Sequence, residues 1–295
     1  MPDFPILAAA LINGATQGAV YALIALGLTL IYGVLHIINF AHGAALMVAL
    51  YAVFLLFTKF GVDPYAALPV VVVGMFGLGY ALQRFVIGPA SHGRDENILL
   101  VTLGLAILLE NLALVVFNSD TRTIDTPYTF ATVDFAGILI AVPKLAALAG
   151  ALVMTGALFL LIERTDLGRA IRAVAKERQG ARLCGIDVEN VFALCFGIGL
   201  ACVGAAACFL LPSFYVNPTV GGGFVLIAFT VVVLGGMGSF VGALAGGLIV
   251  GLAESLGGLL GITLGWGENM GQLAIFVVFI AVLLFRPQGL FGARV

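Results

Sequence analysis

Charge is scarce in this 295-residue sequence: 9% of residues are Asp, Glu, Lys or Arg, against roughly 25% in an ordinary soluble domain. A soluble fold needs a charged exterior, and a chain that is 62% hydrophobic leaves too little polar surface to make one. The same composition excludes a disordered chain, which needs low hydrophobicity and high net charge. With 13 Lys+Arg against 15 Asp+Glu there is no basic excess, so a nucleic-acid-binding face is excluded as well. What is left is a polytopic chain whose main solvent is the bilayer.

Other absences narrow the reading. The four cysteines (Cys184, Cys195, Cys202 and Cys208) form no CxxC and no Cys/His ligand spacing, so neither a zinc site nor a disulfide framework is indicated. Met1-Pro2-Asp3 lacks the positive n-region of a signal peptide. The apolar stretch from Phe4 is also too long for an h-region, and reads as a retained first membrane helix. There is no GxxxxGK[ST], so this chain is not expected to bind ATP, and no HExxH, GxSxG or dinucleotide fingerprint. The three histidines, His36, His42 and His92, are scattered. No catalytic constellation, metal site or cofactor is expected.

What is present is a series of apolar blocks near 6–31, 37–57, 64–87, 97–117, 143–163, 190–211, 224–256 and 268–285. Each is close to or above the roughly 20 residues that a spanning helix needs. The expected fold is an all-α transmembrane bundle, one membrane domain over residues 1–295. It has eight spans, or nine if the overlong seventh block crosses twice around Gly235-Gly236-Met237-Gly238. Basic residues orient it. Arg84, Arg94, six Lys/Arg in the 164–189 loop, Arg286 and Arg294 fall on one side, and Lys59, Arg122 and Lys144 on the other. The first group is expected to be cytoplasmic, and the 118–142 loop external.

Gly238, Gly242 and Gly246 form an i, i+4 row, and Gly247, Gly251 and Ser255 form a neighbouring one. Such rows let helix backbones approach closely in lipid. Polar groups inside apolar spans are costly unless paired or facing water. Gln17 lies one turn past Asn13; Asn39 and His42 open the second span; Glu110-Asn111 lies well inside the fourth; Glu254 lies in the seventh block. Asn39 and Glu268, near helix ends, suit caps. His42 suits either a tie between helices or a gate. Glu110 and Glu254 suit a pathway or a pairing role, because an intramembrane carboxylate is a functional residue by default. Gln17, Asn39, His42, Glu110, Asn111 and Glu254 are therefore the candidate pathway residues. Their mixture with apolar walls is compatible with a zwitterionic solute.

The 164–189 loop is the most charged segment. Residues 169–183 are mostly strong helix formers, predicting one amphipathic helix with a small apolar side (Ala170, Ile171, Ala173, Val174, Ala181) and a basic side. Gly185 suits a helix stop, with Ile186 after it. Such a helix suits docking into a groove on a partner, or lying on anionic lipid.

Three stretches together resemble a known family. Asn13-Gly14-Ala15-Thr16-Gln17-Gly18 through Ile38-Asn39-Phe40-Ala41-His42-Gly43, then Gly168-Arg169-Ala170-Ile171-Arg172-Ala173, then Val233-Leu234-Gly235-Gly236-Met237-Gly238-Ser239 are similar to the LivH-type permeases of branched-chain amino acid ABC importers. The tail Arg286-Pro287-Gln288-Gly289-Leu290-Phe291-Gly292 matches too, so the resemblance runs the length of the chain. It implies a bacterial inner-membrane subunit paired with a second, related permease, two cytoplasmic ATPases that bind the ATP, and a periplasmic solute-binding protein. Arg169, Arg172, Ala173, Glu177, Gly185 and Ile186 would then form the ATPase-coupling element. Alternatives within and outside this class are a permease for urea or short amides, and a stand-alone transporter using Glu110 and Glu254 as cation sites.

Overall fold

The computed structural model describes residues 4–91, 95–135, 138–267, 269–286 and 288–291. His92, Arg94, Glu268, Pro287, Gly292 and Arg294, named above, lie outside them. With no water in the hydrocarbon core, a spanning backbone must satisfy its own N–H and C=O groups, so long apolar runs become helices. The long helices are α1 (Phe4–Leu35), α2 (Ala41–Phe60), α3 (Leu68–Ala81), α5 (Asp95–Phe117), α6 (Val142–Arg164), α9 (Val188–Leu210), α10 (Val220–Gly235), α11 (Phe240–Thr263) and α12 (Met270–Phe285). A π-helix at Leu82–Ile87 and the short α4 (Gly88–Ser91) continue α3. Helices α7 (Asp166–Lys176) and α8 (Arg178–Leu183) occupy the charged loop. Among the described residues, seven helical spans are long and apolar enough to cross a bilayer, and α10 and α12 are shorter apolar helices of 16 residues. That brackets the expected eight or nine.

The seventh block is two helices. Gly236 (φ 102°) and Gly238 (φ 86°) turn the chain through backbone conformations that favour glycine. Ser239 then accepts a hydrogen bond from the Gly242 N–H at 3.0 Å and caps α11. Helices α10 and α11 run back against each other, so the chain tail returns to the end that holds α7 and α8. There the Leu290 N–H donates to Leu234 O at 2.9 Å. Arg84, Arg164, Arg169, Arg172, Lys176, Arg178, Arg182 and Arg286 share this end. Lys59, Arg122 and Lys144 sit at the other, where Lys144 donates to Asn13 and Arg122 pairs across a β-bridge with Val216. The double crossing thus puts the tail at the basic-rich end and the start of α1 at the opposite end, the ends that the basic asymmetry leads one to expect as inner and outer.

Helix α1 is 32 residues, about 48 Å at 1.5 Å per residue. With α9 it forms the centre, the two burying Leu23, Ile24, Leu26, Phe196 and Leu200. Helix α11 runs antiparallel along α1 on small residues. A Cβ on Gly18 would lie 2.5 Å from Gly247 O, and one on Gly14 would lie 2.9 Å from Gly251 O. Of the first glycine row, Gly242 and Gly246 meet α10 at Gly235 and Val231. Gly238 does not belong to that helical row: it lies in the α10–α11 turn, against Gly33 of α1.

At the outer end, strands β1 (Thr132–Phe135) and β2 (Ile138–Ala141) form an antiparallel hairpin with Thr132 opposite Ala141. The Tyr128 hydroxyl donates to Asp63 Oδ2 at 2.7 Å, fastening the 118–142 loop to the α2–α3 connection.

The expected single helix over 169–183 is corrected by the structure. Glu177 is extended (φ −157°, ψ 107°) and breaks it, its carboxylate accepting from the Gln179 N–H to start α8. The apolar side faces inward as well: Ile171, Val174 and Ala181 are buried against the bundle, and Ala173 is half-buried. The charged side is what remains exposed. Gly185, at φ 82°, ends α8 as expected, and the Ile186 N–H closes it onto Ala181 O at 3.1 Å.

Candidate translocation site

The structure separates the six candidate pathway residues into three places. Asn39 and His42 belong to the start of α2. Helix α1 stops at His36, whose left-handed backbone (φ 58°) is unusual outside glycine. Residues 36–40 are non-helical. His42 is fully buried, with Nε2 2.9 Å from Ile24 O. Ile24 lies eleven residues before the end of α1, about 16 Å back along its axis. The chain therefore doubles back through a non-helical segment, and α2 begins inside the bundle. Asn39, 2% exposed, accepts from the Ala41 N–H at 3.0 Å, a local turn that leads into α2 although the N-cap position itself is Phe40. Gly43 then packs directly on Gly221 of α10.

Glu110 and Asn111 sit on α5. Glu110 lines a cleft of about 180 Å³ with Gly43, Ala106, Pro218, Gly221 and Val225, between α2, α5 and α10. Asn111 is exposed and turns its amide back to Ile107 O at 2.8 Å. This α5 face also exposes Leu103, Ile107, Leu108 and Leu112.

Gln17 and Glu254 share the third place. They line an open cavity of about 380 Å³ with Tyr21, Phe214, Asn217, Thr219, Phe224 and Ile227, bounded by α1, α10, α11 and the segment before α10. The Tyr21 hydroxyl donates to Glu254 Oε2 at 2.6 Å. Phe224 meets both Tyr21 (centroids 6.3 Å) and Phe214 (5.4 Å) edge-on. Among the described residues no cation lies within ion-pair distance of Glu254, and no basic side chain lines the cavity. Tyr21 is the member that sequence reasoning missed: an aromatic residue inside an apolar run gives no sign of a partner 233 positions away.

At the inner end, Arg169 is exposed and paired with Asp166. Arg172 donates to Ile162 O at the close of α6 and lies 3.9 Å from Glu163. Arg178 donates to Leu35 O at 2.6 Å and covers the Phe192 ring, holding α8 to the end of α1. Leu183, at the tip of α8, is 91% exposed. A larger polar groove, about 700 Å³, runs between His36, Gln83, Lys176 and Arg182.

The sequence profile of the branched-chain amino acid transport system permease component matches residues 10–284. The chain belongs to that family. The high-affinity branched-chain amino acid transport permease BraD of Pseudomonas aeruginosa is 33% identical, over 99% of this chain and 98% of its own. LivH of Escherichia coli K12 is 33% identical over 95% and 94%. A probable LivH of Methanocaldococcus jannaschii is 31% identical over 92% and 88%. The permease is thus a multi-pass inner-membrane transport protein, and its relatives are named as transport permeases.

Proposed function

We propose that this permease forms, with a second related permease subunit, the translocation pathway of an ABC importer for branched-chain amino acids. Separate cytoplasmic ATPases bind ATP and drive it, and an external solute-binding protein delivers the solute. The observation that carries the substrate class is the outer cavity: one carboxylate, an amide pair (Gln17, Asn217) and aromatic and aliphatic walls. It stands beside near-full-length likeness to permeases named for that transport. The charged outer side of α7–α8 and exposed Leu183 supply a surface for an ATPase. Closure of the ATPases would push on α7–α8, and Arg178 and Arg172 would pass that push to the ends of α1 and α6.

A stand-alone cation-coupled mechanism is less well supported, because Glu110 and Glu254 line separate openings and share no lining residue. Substrate class is tested by competition. Vesicles holding the whole importer should accumulate labelled leucine, and unlabelled isoleucine and valine should suppress this while urea and acetamide do not. Suppression by urea or acetamide alone would transfer the assignment to that class.

A further inference from the structure

Among the described residues Glu254, a carboxylate in a membrane-spanning helix, has no cationic partner, an arrangement tolerated where the group meets water or a ligand. Its surroundings are asymmetric. Tyr21, 3% exposed and fixed by α1, binds Oε2, and among the described residues Glu254 accepts no other side-chain hydrogen bond. The half-buried Glu254 lines the cavity and keeps acceptor capacity beyond the Tyr21 bond. On the same walls Phe214, Phe224 and Ile227 offer apolar surface and no charge. An ionic acceptor beside an uncharged apolar wall matches a small molecule that carries an ammonium group on an aliphatic body.

We propose that Glu254, positioned by Tyr21, receives the ammonium group of an α-amino acid in transit, while Phe214, Phe224 and Ile227 receive its aliphatic side chain. This rests on the amino-acid import proposed above and assigns a recognition step to the permease itself. Tyr21 acts as a positioning residue: its bond holds one carboxylate oxygen so that the other points to the solute. A purely structural tie between α1 and α11 would need the same hydrogen bond but no access from the cavity.

Access and chemistry are both read by carbodiimide labelling of the assembled wild-type importer. Dicyclohexylcarbodiimide is added and N-acylurea formation at Glu254 is followed by peptide mass spectrometry. Labelling should occur, and should slow at least fivefold with millimolar L-leucine or 3-methylbutylamine, which share the ammonium. It should be unaffected by 4-methylpentanoate, which keeps the carbon skeleton and lacks that group. No labelling, labelling indifferent to leucine, or equal protection by 4-methylpentanoate overturns the assignment.

Transport adds a second readout. Glu254→Gln should move at least tenfold less leucine per ATP hydrolysed, Glu254→Asp should restore most of it, and Tyr21→Phe should raise KM more than it lowers kcat. Wild-type yield of leucine per ATP in Glu254→Gln overturns the proposal. If the wild-type importer carries urea and not leucine, the function reading falls; if it carries leucine while Glu254 ignores it, only this assignment falls.

Discussion

His42 Nε2 of α2 meets the Ile24 carbonyl of α1 at 2.9 Å, eighteen residues apart in sequence and at the same depth in the bundle. A carbonyl only accepts, so Nε2 carries the proton, and the imidazole serves as a donor between two helices. This bond marks the point where the doubled-back chain becomes helical again. Hydrogen bonds between membrane helices are worth about 0.6–1.7 kcal/mol. His42→Ala also empties a buried volume and should lower the melting temperature clearly, whereas His42→Gln keeps a donor and should recover part of it. Thermal unfolding of the purified permease measures both, and an unchanged melting temperature in His42→Ala contradicts the role.

Glycine positions should divide sharply by what faces them. A Cβ on Gly27 would lie 2.2 Å from Gly199 O, and one on Gly242 would lie 2.2 Å from Gly235 O. Gly74 and Gly104 have nothing within 4 Å. Leucine at Gly18, Gly27 or Gly242 should abolish the monodisperse peak in size-exclusion chromatography. Leucine at Gly74 should leave it intact. Intact assembly of Gly18→Leu would refute the backbone contact between α1 and α11.

The two arginines of α7 should behave differently. Arg169 is an exposed ion-pair partner, and such pairs contribute about 0–1 kcal/mol. Arg169→Glu should therefore assemble normally while cutting the uptake driven by each ATP. Arg172 also binds a backbone carbonyl at the last turn of α6, where positive charge is favoured. Arg172→Glu should lose stability as well as coupling. Unchanged transport per ATP in Arg169→Glu would argue against an ATPase contact on this side of α7.

Leu183 gives a separate test at the tip of α8. Leu183 is 91% exposed at a charged end of the bundle, and no described residue buries it. Leu183→Asp should leave the permease stable and should weaken its co-purification with the ATPases severalfold. Retained co-purification would place the ATPase contact elsewhere.

Much of the architecture was legible because lipid enforces it. Long apolar runs must be helices, the basic asymmetry orients them, and Gly235 to Gly238 marks the turn inside the seventh block. That Asn39 and His42 open the second span was legible, but the depth at which α2 restarts was not: hydropathy does not show that the chain folds back along α1 before the helix begins. The inward turn of Ile171 and Val174 was hidden for a related reason: an amphipathic pattern says that one side is buried, not whether a partner or the chain's own bundle buries it. Gln17 and Glu254 were each visible as polar groups in apolar spans, but their meeting, and Tyr21 between them, depends on the antiparallel packing of α1 and α11.

The source of the energy for transport is the most direct test of the proposed function. Proteoliposomes containing this permease and its partner permease, with the solute-binding protein outside, should accumulate labelled leucine against a gradient when the ATPases and internal ATP are present. Accumulation should fall to background when the ATPases are omitted. Uphill uptake without them, driven by an imposed proton or sodium gradient, would contradict the account.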